Sequence, residues 1–270
     1  GTDVKDMVTD TEGIVLRQVK ALGGRRMILL FSKKFGKISV GTSINEGGRN
    51  KSALSVRAFS YGRYELFKNR ESYNLNSGQV LKSYYSLGED LDKYMAASYV
   101  LELTEKTLPE ELPQPRIFAL LLDFMEALEK RTKKHGTLVL AYLIKLLDAL
   151  GTMPALERCA CCGKELDTGS GREADDNAVK SKVFFSVEEG GIVCADCAKE
   201  LSKERERPLI YHEDIGIIDI LKYFQKQPMA AFEKLALDES LQEKLQTIIK
   251  EYISYHMDIR NLKSESFFQI

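Results

Sequence analysis

Two Cys-x-x-Cys pairs, Cys159/Cys162 and Cys194/Cys197, oblige any fold of this chain to bring two distant turns to one point. A two-residue spacing lets both thiolates of a pair reach one metal at about 2.3 Å, with backbone N–H groups turned toward sulfur. Gly163, directly after the first pair, tolerates the left-handed backbone that such a knuckle needs. Four thiolates close a tetrahedron and leave no position for water, so the pattern predicts one structural zinc ion. The three histidines, His135, His212 and His256, are distant in sequence from both pairs. Four or five buried free thiols are the plain alternative. A redox pair would sit in a thioredoxin-like βαβ pattern, and an iron–sulfur cluster has its own spacing signatures; neither is present. Cys161 is left over, and could replace Cys159 only at a one-residue spacing, which is poorer geometry.

The opening residues, GTDVKDMVTD, are polar and acidic and carry no secretory pattern. The longest apolar stretch, Leu138 to Leu150, is interrupted by Lys145 and Asp148 and is too short to span a bilayer. A cytoplasmic location is therefore expected, and in that reducing compartment clustered cysteines bind metal more often than they form disulfides.

From Glu12 to about Tyr85 the pattern is β-like. The runs Gly13–Val19, Met27–Phe31, Lys37–Ile44, Ala53–Phe67 and Gln79–Tyr85 favour β-branched and aromatic residues. Turn formers separate them at Gly23-Gly24, Phe35-Gly36 and Asn45 to Asn50. Five short strands suit a small closed barrel, since closure removes exposed edges. An OB-type barrel leads, with an SH3-like barrel as the alternative.

After Gly88 the hydrophobic period changes from two to about 3.6. Leu91, Met95, Tyr99 and Leu103 mark one helix face, ending before Pro109. A second helix runs from Pro115 to His135-Gly136, and a third from Thr137 to Leu150 with Gly151 at its C′ position. Further helices are expected over about 196–206, 213–226, 228–236 and 238–262. Lys182–Val187 and Gly191–Cys194 flank the turn Glu188–Gly190, a hairpin that delivers the second cysteine pair. Residues 167–181 are polar and read as a mobile excursion within the zinc module. The fold class expected is α+β in two domains. Residues 1–85 form a five-stranded OB-fold barrel; residues 86–270 form a mainly α-helical domain with an inserted four-cysteine zinc module at about 154–200.

A net charge of −1 hides an asymmetry. Residues 1–85 hold 15 Lys and Arg against 7 Asp and Glu, whereas the remainder holds 24 against 33. A basic barrel suits polyanions and an acidic remainder suits protein partners, although charge alone does not separate nucleic acid from a membrane surface. The cations cluster near turns: Arg25, Arg26, Lys33, Lys34, Lys37, Arg49 and Lys51. Aromatic residues are interleaved with them, and Tyr61 and Arg63 share one strand face. Single-strand binders need this combination, with cations for phosphates and aromatic faces for bases. Taken singly, each aromatic is more often core and each cation more often a solvated surface charge.

Several segments resemble RecO, a family of bacterial recombination-repair mediators. They are Thr11 to Arg17 (TEGIVLR), Phe31 to Ile38 (FSKKFGKI), Gly48 to Ser52 (GRNKS), Leu147 to Cys162 (LDALGTMPALERCACC), Gly190 to Cys194 (GGIVC) with Cys197, and His256 to Ser264 (HMDIRNLKS). No single motif is specific, but their order and spacing are. The resemblance implies an OB-fold DNA-binding domain and a helical domain carrying zinc. It also implies a non-enzymatic protein, nucleoid-associated, that binds single- and double-stranded DNA and anneals complementary strands. Its partners would be RecR, single-strand-binding protein and, indirectly, RecA, whose loading it assists. The chain has no P-loop, no Ser/His/Asp or Cys/His constellation and no carboxylate cluster at metal-site spacing, so no enzyme is expected. The competing reading is a zinc-stapled interaction adaptor with little intrinsic DNA affinity.

Overall fold

A computed structural model describes residues 7–20, 26–45, 47–167, 182–260 and 262–264. The chain divides into two compact units, residues 1–129 with 262–270, and residues 130–261.

In the first unit, strands β1 (Met7–Lys20), β2 (Arg26–Ser32), β3 (Gly36–Thr42), β4 (Tyr61–Lys68) and β5 (Tyr73–Lys82) close into a barrel in the order β1-β2-β3-β5-β4. Neighbours are antiparallel except at the β3–β5 seam, where Val40 faces Tyr73 and Gly41 faces Asn74 in parallel. This order, with a short helix α1 (Lys51–Ser55) between β3 and β4, is the OB arrangement. Alternation sends Val15, Ile28, Leu30, Ile38, Val40, Tyr64 and Leu66 inward. Tyr64 keeps its hydroxyl satisfied inside by donating to the Ser55 carbonyl at 2.7 Å.

The stretch Ala53–Phe67 is not one strand. Asn50 caps α1 by accepting from the Ala53 N–H at 2.9 Å, and Phe59 then adopts φ +72° before β4 begins at Tyr61. β5 also starts earlier than its expected Gln79, because Tyr73 and Leu75 pack on the barrel core.

Two helices complete this unit: α2 (Leu91–Thr107), capped by Asp90, and α3 (Pro115–Lys130). Leu91 is 70% exposed, so the buried face of α2 runs instead through Ala96, Ala97, Tyr99, Val100 and Leu103. Phe118 of α3 meets Phe31 of β2 edge-on at 5.4 Å. From β3, Lys37 donates to the Glu105 carbonyl at 2.9 Å, and its own carbonyl accepts from Glu111 N–H at 3.0 Å. Helices and their connection therefore cover the outer face of β2 and β3 around Phe31 and Lys37, while Ser39 stays exposed. Late in the chain, Lys263 N–H, Ser264 N–H and the Ser264 hydroxyl all donate to the Glu102 carboxylate, returning this segment to the first unit.

The second unit is built on α4 (His135–Ala149), whose residues Leu138 to Ile144 are all buried. Gly151 follows in the expected left-handed conformation, φ +73°. Arg131 gathers a connection by donating to the carbonyls of Lys133 at 2.9 Å and Phe232 at 2.9 Å. A three-stranded sheet has the order β7-β6-β8, from β6 (Lys182–Ser186), β7 (Gly191–Val193) and β8 (Ile210–Asp214). The β6–β7 hairpin is the expected one. Strand β8 takes the start of the expected helix 213–226, leaving α6 (Gly216–Lys226). Helix α5 (Ala195–Glu204) precedes β8, and α7 (Glu239–Met257) is shorter than 238–262, ending at Asp258 with φ +51°. The expected helix 228–236 is a single 3-10 turn, Met229–Phe232. The polar excursion, apart from Asp167, lies outside the described residues. Among the described residues no helix is long and apolar enough to cross a membrane.

Candidate metal centre and nucleic-acid interface

Cys159, Cys162, Cys194 and Cys197 place their sulfurs within 4.8 Å of one another. The hairpin accomplishes this. Ala155 bridges to Gly191, and Ala160 N–H donates to the Ile192 carbonyl at 2.8 Å, so the first knuckle is sewn to β7. Gly191 is required there: a Cβ would fall 2.4 Å from the Ala155 carbonyl oxygen, at φ +153°. The Gly-Gly before Ile-Val-Cys is the one sign of this close approach that the sequence carries. Gly163 closes the first knuckle at φ +75°, its N–H donating to the Cys159 carbonyl at 2.9 Å. Cys194 is the N-cap of α5, which puts Cys197 in the first helical turn.

The donor set fits one tetrahedral metal ion. Bonds of about 2.3 Å to four sulfurs imply sulfur–sulfur edges of about 3.8 Å, and Cys162 and Cys194 Sγ lie 3.9 Å apart. Burial opposes ionisation of Cys159, but N–H groups of Cys162, Cys194 and Cys161 outweigh it and hold the thiol at about 6. One of these, Cys194 N–H, lies 3.3 Å from the Cys159 sulfur. Cys161 stands outside the cluster; burial and Glu189 push its thiol up to about 11. The four sulfurs could thus hold one metal ion and leave no open position for a substrate.

The barrel cations are distributed more widely. Arg25 lies outside the described residues. Arg26 opens β2, and Arg49 and Lys51 flank the start of α1; all three are exposed. Lys33 and Lys34, on the β2–β3 turn, are exposed but paired with Glu12 at 3.3 Å and Asp10 at 3.7 Å. Arg63 reaches the same Glu12 at 3.8 Å. Exposed pairs of this kind contribute about 0–1 kcal/mol and exchange readily for a phosphate. Lys37 is different: it is buried, bonded to Glu105 and 3.6 Å from Glu110, so it anchors α2 and the connection after it. Tyr61 is half-buried, edge-on to Phe118 at 6.2 Å; burial and then Glu12 raise its pKa. OB folds commonly bind through the face of strands 2 and 3. Here that face is covered around Phe31 and Lys37, so most exposed charge is left to the turns and to the β1–β4 side.

Comparison with known proteins agrees with this architecture. Residues 7–84 match the family model for Recombination protein O N terminal, and residues 88–266 match Recombination protein O C terminal. The chain is 31% identical to a DNA repair protein RecO of Alkaliphilus metalliredigens over 96% of its length and 97% of that protein's. It is 25% identical to that of Caldanaerobacter subterraneus over 95% and 96%, and 28% identical to that of Pelotomaculum thermopropionicum over 95% and 91%. With both family models matching in order and a relative 31% identical over nearly its whole length, the chain belongs to the RecO family of DNA repair proteins.

Proposed function

We infer that the chain is a non-enzymatic mediator that binds single- and double-stranded DNA through its barrel and anneals complementary strands. With RecR it would assist RecA in loading onto DNA covered by single-strand-binding protein, in the cytoplasm at the nucleoid. The observation that carries this reading is the exposed set Arg26, Arg49 and Lys51 around a barrel whose first 85 residues are strongly basic. Annealing needs no bond chemistry. It needs two phosphate backbones screened so that strands can approach, and surface cations supply that screening by displacing counterions. In this reading the metal is a single structural zinc ion, which staples residues 154–200 and does not touch DNA. Residues 1–85 do the binding and residues 86–270 serve partners.

The test is strand annealing with and without a RecR partner, alongside single-strand affinity across a salt series. Charge reversal of Arg25, Arg26, Arg49 and Lys51 together is expected to weaken binding to all sequences. It should also flatten the salt slope by about 0.7 for each phosphate no longer neutralised. Unchanged affinity would sink the assignment. The pairing of Lys33, Lys34 and Arg63 with carboxylates and the covered β2–β3 face favour one second reading, the adaptor. Recovery of RecR-like partners without measurable DNA affinity would select it.

A further inference from the structure

Beside α1 the first unit holds a cavity of about 220 Å³. Its walls include Leu54, Arg57, Phe59, Ser60, Tyr85 and Gly88. A void of about 150 Å³ already admits a benzene ring, so this one has room for a single aromatic ring system. Its floor is fixed. Phe59 N–H donates to the Val15 carbonyl at 3.1 Å, Val15 N–H donates to the Ser60 carbonyl at 3.0 Å, and the Ser60 hydroxyl donates to the Leu54 carbonyl at 2.5 Å. Phe59 keeps φ +72° within this brace, a conformation that costs a bulky side chain energy and that recurs at ligand clamps. One lining aromatic is left in water, Tyr85 at 60% exposed, and behind Phe59 stands Tyr94, edge-on to it at 5.8 Å.

Charge is distributed unevenly around the opening. Arg57 lines it and donates to the Gly48 carbonyl at 3.2 Å, which places Arg57 beside the loop that carries Arg49. Lys51 lies one helical turn before Leu54, on the same side of α1. The remaining wall carries Glu89, next to the α2 cap Asp90. A phosphate is therefore attracted to one side only, and the ring attached to it is directed over the aromatic wall toward acceptors. Simple apolar ligands would have no use for the cations, and a free phosphate none for Tyr85.

We propose that this cavity is a subsite for one unstacked nucleobase of a single strand, held against Tyr85 and Phe59 while the adjoining phosphates lie on Arg49, Lys51 and Arg57. The proposal rests on the DNA-binding reading above and sharpens it. A paired base cannot enter, so this subsite separates single strands from duplex, whereas the other barrel cations serve both.

The experiment uses the full chain, its Tyr85→Ala variant and a Gly88→Leu variant. The latter puts a bulky side chain on the lining itself without a clash, since Gly88 lines the cavity and a Cβ there meets nothing within 4 Å. The probes are an oligodeoxythymidylate carrying one 2-aminopurine, and a blunt duplex of the same length, measured at one salt concentration. Both variants are expected to lose roughly ten-fold in single-strand affinity, together with the change in 2-aminopurine emission, while duplex affinity stays at the parent value. Retained single-strand affinity in both variants overturns the subsite, as does an equal loss on single strand and duplex. A parent chain that binds no single strand overturns the functional reading as well, which distinguishes the two failures.

Discussion

Arg17 holds Glu105 through three hydrogen bonds, Nε to Oε2 at 2.9 Å and to Oε1 at 3.0 Å, and Nη2 to Oε1 at 2.8 Å, with the carboxylate buried and the guanidinium half exposed. This pair fastens β1 to α2 and is unsymmetrical. Removing the arginine strands a buried charge, whereas neutralising the glutamate leaves a cation that water can reach. Arg17→Ala is expected to cost the first unit about 2–3 kcal/mol, and Glu105→Gln about 1 kcal/mol. Arg17→Lys should recover only part of the loss, because a point charge does not reproduce the planar fork. Urea denaturation of the three variants checks the order; equal losses would contradict it.

If the barrel binds DNA as proposed, Glu12 competes with it for two neighbouring cations. It accepts from Lys33 at 3.3 Å and lies 3.8 Å from Arg63. Glu12→Gln should free both cations and raise single-strand affinity severalfold at low salt, with the gain disappearing as salt screens the surface. Fluorescence anisotropy over a salt series reads this directly, and a drop in affinity would place the DNA path elsewhere.

Removal of the metal should act on residues 130–261 and spare the barrel. Cys197→Ser, or chelation of the parent chain, is expected to destabilise that unit by at least about 2 kcal/mol, well inside the ~10 kcal/mol that a structural zinc can contribute. Gly191→Ala should do the same through the knuckle, as its Cβ meets the Ala155 carbonyl. Metal content, limited proteolysis and DNA affinity, measured together, test the separation. Loss of metal without loss of protection against protease would refute the stapling role.

Alkali should unfold the first unit through its tyrosines. Burial raises the phenol pKa of Tyr64 and of Tyr84 well above the ordinary 10.0, with Glu126 adding to burial at Tyr84. The folded state thus keeps both protons while the unfolded chain releases them. Their contribution to stability is complete below pH 10 and is lost progressively as pH rises above it. Phenolate absorbance followed with circular dichroism should show these two groups ionising only as the barrel unfolds.

Much of this is legible in the sequence because it is local. The cysteine pairs declare themselves through spacing and thiol chemistry, and Gly151 and Gly163 through the turns they close. Ala53–Phe67 reads as a single strand because β-branched and aromatic residues continue through it. The break comes from the Asn50 cap and the turn at Phe59, which composition does not reveal. Strand β8 escapes notice because His212, Glu213 and Asp214 are poor strand formers, tolerated by pairing along β6. The site cations are the least legible. A lysine in a sequence shows its charge but not its partner, and Lys37 commits its ammonium to the Glu105 carbonyl while Arg49 remains in water.

The hydrogen bonds from Lys263 and Ser264 to Glu102 make residues 130–261 an insertion within the first unit. A ribosome therefore releases the barrel and α2 long before the segment that completes their packing. Helix α2 must wait with the Glu102 carboxylate in water until Lys263 and Ser264 have been made. Truncation just before Leu262 would then produce a chain that translates, collapses and binds metal, yet frays along α2. Pulse-labelling during synthesis would find the full protection of α2 arriving only after residues 262–264 emerge.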